Sequence, residues 1–158
     1  MTKIHHSDTL ELVGKDEQIA ADRWTEDVAL TLPIGDVSGQ ILGINLTTRR
    51  EATGGTVLAP SGTLMVFDAD PGLTTGDAAL VTGVHRTVLG TVAIATGDWY
   101  ADVGGGVVYK SVLIPFYTLK TLYFAFFWTL STSINSLGTD DEVMELDVQL
   151  RIEDKTLF

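Results

Sequence analysis

The chain has 158 residues, 45% of them hydrophobic, with a formal net charge of −11 and no cysteine. That length and composition suit one domain with its own core and exclude a chain disordered throughout. The charge excludes the clustered Lys and Arg that neutralise phosphates or hold an anionic membrane, and the missing cysteines exclude disulfides and thiolate chemistry.

Residues 1–24 are mostly polar, with scattered Ile4, Leu10, Leu12, Val13 and Ile19 and a closing aromatic, Trp24. Residues 10–13 fit a short strand, and the rest reads as an extended N-terminal arm. No apolar segment of signal-peptide type occurs here, which predicts synthesis in a cytoplasm without export. His5 and His6 are adjacent, so on a strand they point to opposite faces and make a poor metal pair.

From residue 25 strand signals arrive at regular intervals. In 25–34, Val28, Leu30, Leu32 and Ile34 alternate with polar or small residues, the pattern of a half-buried strand. Gly35 to Gly39 reads as a turn. In 40–50, Leu42, Ile44 and Leu46 share a phase, and Arg49 and Arg50 form a solvated strand end before Gly54-Gly55. Residues 62–68 give another strand, stopped at Asp68-Ala69-Asp70-Pro71-Gly72, where the aspartates suit a turn better than a calcium loop. Residues 73–88 read as loop or a short helical turn, with His85 at the surface. Val92 and Ile94 lie in a strand at 89–95, followed by a turn through Gly97, Trp99 and Asp102.

Residues 107–116 form a long strand with Val108, Val112, Ile114 and Phe116 in phase. A short connection returns the chain into 121–131, most simply as an antiparallel hairpin. There Leu122, Phe124, Phe126, Trp128 and Leu130 fall on one face and Tyr123, Ala125 and Phe127 on the other. A strand apolar on both faces is either covered twice by its own chain or meets another subunit. By transmembrane standards the run is too short. Asp140, Asp141 and Glu142 cluster at what reads as a solvated loop end. In the last strand Met144, Leu146, Val148, Leu150 and Ile152 alternate with Glu145, Asp147, Gln149 and Arg151. The chain therefore reads as all-β: an antiparallel β-sandwich, jelly-roll-like, over residues 25–158, with an extended N-terminal arm over residues 1–24.

Catalytic motifs are lacking. The serine of Gly35-Asp36-Val37-Ser38-Gly39 is one place late for a nucleophile elbow, and no His-Glu-x-x-His or phosphate loop occurs. The expectation is a protein that is not an enzyme and needs no cofactor or metal. Trp24, Tyr123, Phe127, Trp99 and Tyr100 are the candidate interface residues. Trp99, Tyr100, Tyr109 and Tyr117 also suit a stacking platform for sugars, or ordinary packing.

From Leu64 to Lys155 the text resembles the small head-decoration, or cement, and minor capsid proteins of tailed bacteriophages. The matching order is Phe67-Asp68-Ala69-Asp70-Pro71, Gly76-Asp77-Ala78-Ala79-Leu80, Leu89-Gly90-Thr91-Val92, Gly97-Asp98-Trp99, Thr121-Leu122-Tyr123-Phe124-Ala125 and a final alternating strand. The resemblance implies a β-sandwich in the virion that binds the outer capsid surface and strengthens it without catalysis. The implied partners are the major capsid protein and other copies of the chain, as a homotrimer before a dimer, with no direct nucleic acid and no membrane. The alternative is a carbohydrate- or receptor-binding module of a virion, in a tail or fibre. The arm is expected to dock on a capsid protein or a neighbouring copy, so that deleting residues 1–22 would leave the fold intact.

The register of the last strand is directly testable. Leu146→Ala should cost about 2–5 kcal/mol by emptying core volume, and Gln149→Ala about 0.5 kcal/mol or less. Urea unfolding that gives equal costs would put the strand in the wrong phase.

Overall fold

A computed structural model of the chain describes residues 2–14, 17, 19, 21–32, 36–50, 59–102, 104–129 and 142–153. Their strands are β1 (Thr2–His6), β2 (Leu10–Val13), β3 (Arg23–Trp24), β4 (Val28–Thr31), β5 (Val37–Arg50), β6 (Gly62–Phe67), β7 (Val88–Ile94), β8 (Tyr100–Asp102), β9 (Gly105–Leu119), β10 (Thr121–Trp128) and β11 (Glu142–Glu153). One sheet has the order β1-β11-β5-β9-β8, with β2 also on β11; the other has β3-β10-β6-β7, with β4 also on β10. Every pairing is antiparallel. The expected antiparallel sandwich is therefore what forms, and the chain changes sheet repeatedly as it rolls around one core.

The core lies between the sheets because each strand's apolar phase turns inward. Met144, Leu146, Val148, Leu150 and Ile152 of β11 are buried, as the alternation predicts, against Leu64, Val66, Leu122, Phe124 and Phe126 of the other sheet. The phase of β5 differs from the simple alternation. Ile41 is fully buried in place of Leu42, because β5 advances from Gly43 to Ile41 while β11 advances one residue, from Gln149 to Leu150. This bulge inserts an unpaired residue and resets which face each neighbour occupies. The turn expected at 35–39 also differs: β5 already begins at Val37. Gly39 is needed there for close approach, since a Cβ would collide with the Arg151 carbonyl of β11.

The hairpin expected between β9 and β10 is not formed. β9 pairs with β5 and β8, whereas β10 pairs with β3, β4 and β6. The chain passes from one sheet to the other at Lys120, whose carbonyl accepts a 2.7 Å hydrogen bond from the Leu32 N–H. Ile114 and Phe116 of β9 and Leu122 and Phe124 of β10 are all in the core. Lying in opposite layers, they bury their large side chains against each other, which a flat hairpin would leave side by side.

The expected arm is also corrected. β1 and β2 form one interrupted strand along β11, and β3 lies on β10. Leu12 and Val13 are 1% and 0% exposed. The interruption is bridged by Ser7: its N–H donates to the Val148 carbonyl and its Oγ accepts from the Val148 N–H, both at 2.8 Å. The other sheet repeats the device between β3 and β4. Thr25 donates its N–H to Phe126 O and accepts the Phe126 N–H on Oγ1, both at 2.9 Å. A hydroxyl thus stands in for a carbonyl where the chain leaves strand geometry, and no buried backbone donor is left unpaired there. Glu142, expected on a solvated loop end, is the first residue of β11 and 3% exposed; Asp140 and Asp141 lie outside the described residues.

Deleting residues 1–13 is predicted to destabilise the protein. It removes the buried Leu12 and Val13, each contributing about 1.5–3 kcal/mol, and uncovers the β11 edge. At roughly 2–4 °C per kcal/mol the thermal midpoint should fall by about 6 °C or more, with aggregation. An unchanged midpoint would restore the free arm.

Candidate functional site

Two surfaces of the sandwich stand out, one on the outer face of each sheet. On the β10 sheet the outward residues Tyr123, Ala125 and Phe127 belong to a second apolar cluster with Trp24, Phe67 and Leu73. The Trp24 ring lies 5.0 Å from that of Phe127 and 6.5 Å from that of Phe67. Asp27 helps pin the covering loop: its Oδ2 accepts a 2.8 Å hydrogen bond from the Leu73 N–H. Asp70 does similar local work, accepting the Gly72 N–H at 2.8 Å, which is the turn role read from the sequence. The second face of β10 is thus covered largely by its own chain. What stays open is a shallow 330 Å³ hollow lined by Trp24, Met65, Phe127, Ala79, Leu80 and His85 among others.

The candidate interface residues therefore divide. Trp24, Tyr123 and Phe127 come together in this cluster. Trp99 does not reach the surface as the stacking reading needs; it is 8% exposed, packs in the main core and donates its Nε1–H to the Pro60 carbonyl at 2.9 Å. Its neighbour Tyr100 is 81% exposed and lies on the other sheet, opposite Val107.

Tyr100 marks the second surface, which the sequence reading missed as a unit. The inward phase of β9 is Val108, Ile114 and Phe116; its outward phase is Val107, Tyr109, Ser111, Leu113, Pro115 and Tyr117, all exposed. No residue of that outward row carries a charge, and the row is about 33 Å long at 3.3 Å per residue. Leu113 is 67% and Tyr117 74% exposed. The signal was present in the odd-numbered positions of 107–117, hidden by attention to the buried ones. Lys110, the cation on this strand, binds Asp98 at 2.8 Å. The Lys110 hydrogen bond, aided by that of the Ala95 N–H, holds the Asp98 carboxyl below the usual carboxylate range. Across β5, Asn45 lies opposite Tyr109, and Asp147 of β11 lies opposite Asn45. A 210 Å³ cavity opens between these residues, lined also by His6, Gly43 and Gln149.

Among the described residues no group of three or more His, Cys, Asp or Glu could hold a metal ion. His5 and His6 face Leu150 and Gln149 respectively, on opposite sides of the sheet. What the geometry offers is area: a rigid sheet with an uncharged aromatic row, the kind of patch that marks a protein contact.

No protein-family model matches the chain, and no curated protein matches it. Among solved structures it is similar to dimeric latent PorU from Porphyromonas gingivalis, at TM-score 0.44 and 11% identity over 97% of this chain and 13% of that one. It is also similar to the infectious bursal disease virus VP2 subviral particle, at TM-score 0.44 and 12% identity over 95% of this chain and 32% of that one. A third is the Kashmir bee virus empty particle, at TM-score 0.37 and 13% identity over 96% and 90%. The chain spans only 13% and 32% of the first two. Several of the similar structures are thus viral capsid proteins, and at these values no residue or role is carried over from them.

The Asp27 contact gives a pH test. Burial, its largest influence, raises the Asp27 carboxyl above the ordinary 3.8, against the Leu73 hydrogen bond that lowers it. Just above pH 3.8 the folded state therefore holds the proton more tightly than the unfolded state, so this group's contribution falls as pH rises through that window. Asp27→Asn keeps an acceptor for Leu73 and removes the titration. The difference in urea midpoint between wild type and variant should shift against the wild type as pH rises from about 3.5. Parallel curves would mean that Asp27 is not desolvated.

Proposed function

We propose that this chain is a virion structural protein: a head-decoration protein that docks on the outer capsid surface and stabilises the shell without catalysis. The observation that carries the reading is the uncharged, exposed row along β9 on a chain of net charge −11. A small acidic domain that exposes Tyr109, Leu113 and Tyr117 together on one sheet has a surface to cover. The resemblance of residues 64–155 to phage decoration proteins supplies the partner, the major capsid protein. It also supplies the location, the capsid surface, after synthesis in the host cytoplasm.

In this reading the protein also associates with itself, as a trimer before a dimer. The second face of β10 no longer argues for that, because Trp24 and the loop bearing Leu73 and Leu80 close most of it. The competing reading, a sugar-binding tail or fibre module, loses Trp99 to the core.

Quantitative mass spectrometry of purified particles of the encoding virus tests the assignment. The expected result is a copy number comparable to that of the major capsid protein. A handful of copies per particle would move the chain to a tail or fibre, and absence from particles would overturn the structural role. Light scattering should give a mass above the 17.0 kDa monomer; a clean monomer would remove the self-association.

A further inference from the structure

Gly43 leaves a dent in the outer face of the first sheet, and Tyr109 leans into it. A Cβ at position 43 would come within 2.5 Å of the Tyr109 hydroxyl oxygen, so only glycine lets the ring lie there. The register sets Asp147, Asn45 and Tyr109 side by side across β11, β5 and β9, with Gln149 beside Gly43 in the next row. The 210 Å³ cavity lies among them, and among the described residues no Lys or Arg lines it.

Two acceptors line this cavity. Asp147 is steadied by the Thr9 hydroxyl, which donates to its Oδ1 at 2.8 Å, and a carboxylate has lone pairs for further donors. The side-chain oxygen of Asn45 is buried and has no hydrogen-bond partner, a state that folding disfavours. The third element is the Tyr109 ring, 58% exposed. Of the basic side chains on this face, His6 lines the cavity at its β1 side, and Arg49 is bonded to Glu145 at 2.8 Å.

We propose that this cavity captures an arginine side chain presented by the surface on which the first sheet docks. A guanidinium is planar, carries several donors in a fixed fork, and stacks on aromatic rings. Asp147 and Asn45 are direct cross-strand neighbours, a spacing that such a fork spans and a compact ammonium does not. Rotation of Tyr109 opens the way to the Asn45 oxygen and lays the ring against the cation. The net charge of −11 favours approach of a basic partner and disfavours an acidic one. Only the source of the arginine rests on the docking reading above.

The test uses the full chain and three probes followed by NMR at low salt: N-acetyl-arginine amide, its neutral citrulline isostere, and methyl glucoside. Arginine amide should give saturable shifts at Asn45, Tyr109 and Asp147; citrulline should bind roughly tenfold more weakly, because the charge-assisted bond is gone. Asp147→Asn, which keeps an acceptor for Thr9, and Tyr109→Ala should each weaken arginine about fivefold or more. Equal binding of citrulline, or shifts spread over every acidic loop, overturns the proposal; saturable binding of the glucoside alone makes the cavity a sugar site and overturns it too. Co-sedimentation with undecorated heads separates the two readings. Wild type that sediments while Asp147→Asn does not supports both. Equal sedimentation of the two overturns the cavity as a docking contact and keeps the docking reading. Wild type that binds arginine amide and ignores heads keeps the cavity and overturns the docking reading.

Discussion

The structure depends on the need to cover β10 twice. Its Leu122, Phe124, Phe126 and Trp128 are buried in the main core, and Ala125 is buried on the opposite face with Tyr123 and Phe127 packed around it. Each large apolar side chain taken out of water contributes about 1.5–3 kcal/mol, so leaving either face wet would waste much of the core. The opposing sheet covers the first face. Trp24, Leu73, Leu80 and Val84, from segments far apart in sequence, cover the second. The single-residue passage at Lys120 follows from the same need, since β10 can fill the core from one layer only if β9 fills it from the other.

Covering β10 and β11 at their outer edges is left to the first 31 residues. Both edge strands are broken, and both breaks sit at a hydroxyl residue, Ser7 on β11 and Thr25 on β10. Each break lets the chain leave and rejoin the ladder without leaving the Val148 or Phe126 N–H unpaired. An interrupted edge is also a poor template for a stray strand, which lowers the risk of edge-to-edge aggregation. The N-terminal segment is in this sense a seam of the fold, with Leu12 and Val13 as its apolar fastening.

This explains what the sequence made legible. Where strict alternation ran unbroken, as in β11, β6 and β7, both the strand and its buried face could be read. Where a hydroxyl side chain replaced a backbone acceptor, alternation failed, and residues 1–24 read as an arm. The bulge at Gly43 exchanged Ile41 for Leu42 in the core, which period-two counting cannot detect. The β9 to β10 passage read as a hairpin because connection length alone does not separate a turn within a sheet from a corner between sheets. The cavity at Tyr109 was beyond reach, since Asp147, Asn45 and Tyr109 come together only through the register of three strands.

That register also organises charge. On the outer face of the first sheet β5 separates the uncharged row of β9 from a polar band containing Glu145, Asp147 and Gln149 on β11. In the docking proposed above, the row would contribute area and the carboxylates would disfavour an acidic surface and favour a basic one. Lys110, at an even position of β9 like the buried Val108, points to the other face from Tyr109 and is bonded to Asp98, so it does not interrupt the row. Gly43 sits at the boundary, where the missing side chain lets the aromatic of one strand reach toward the acid of another.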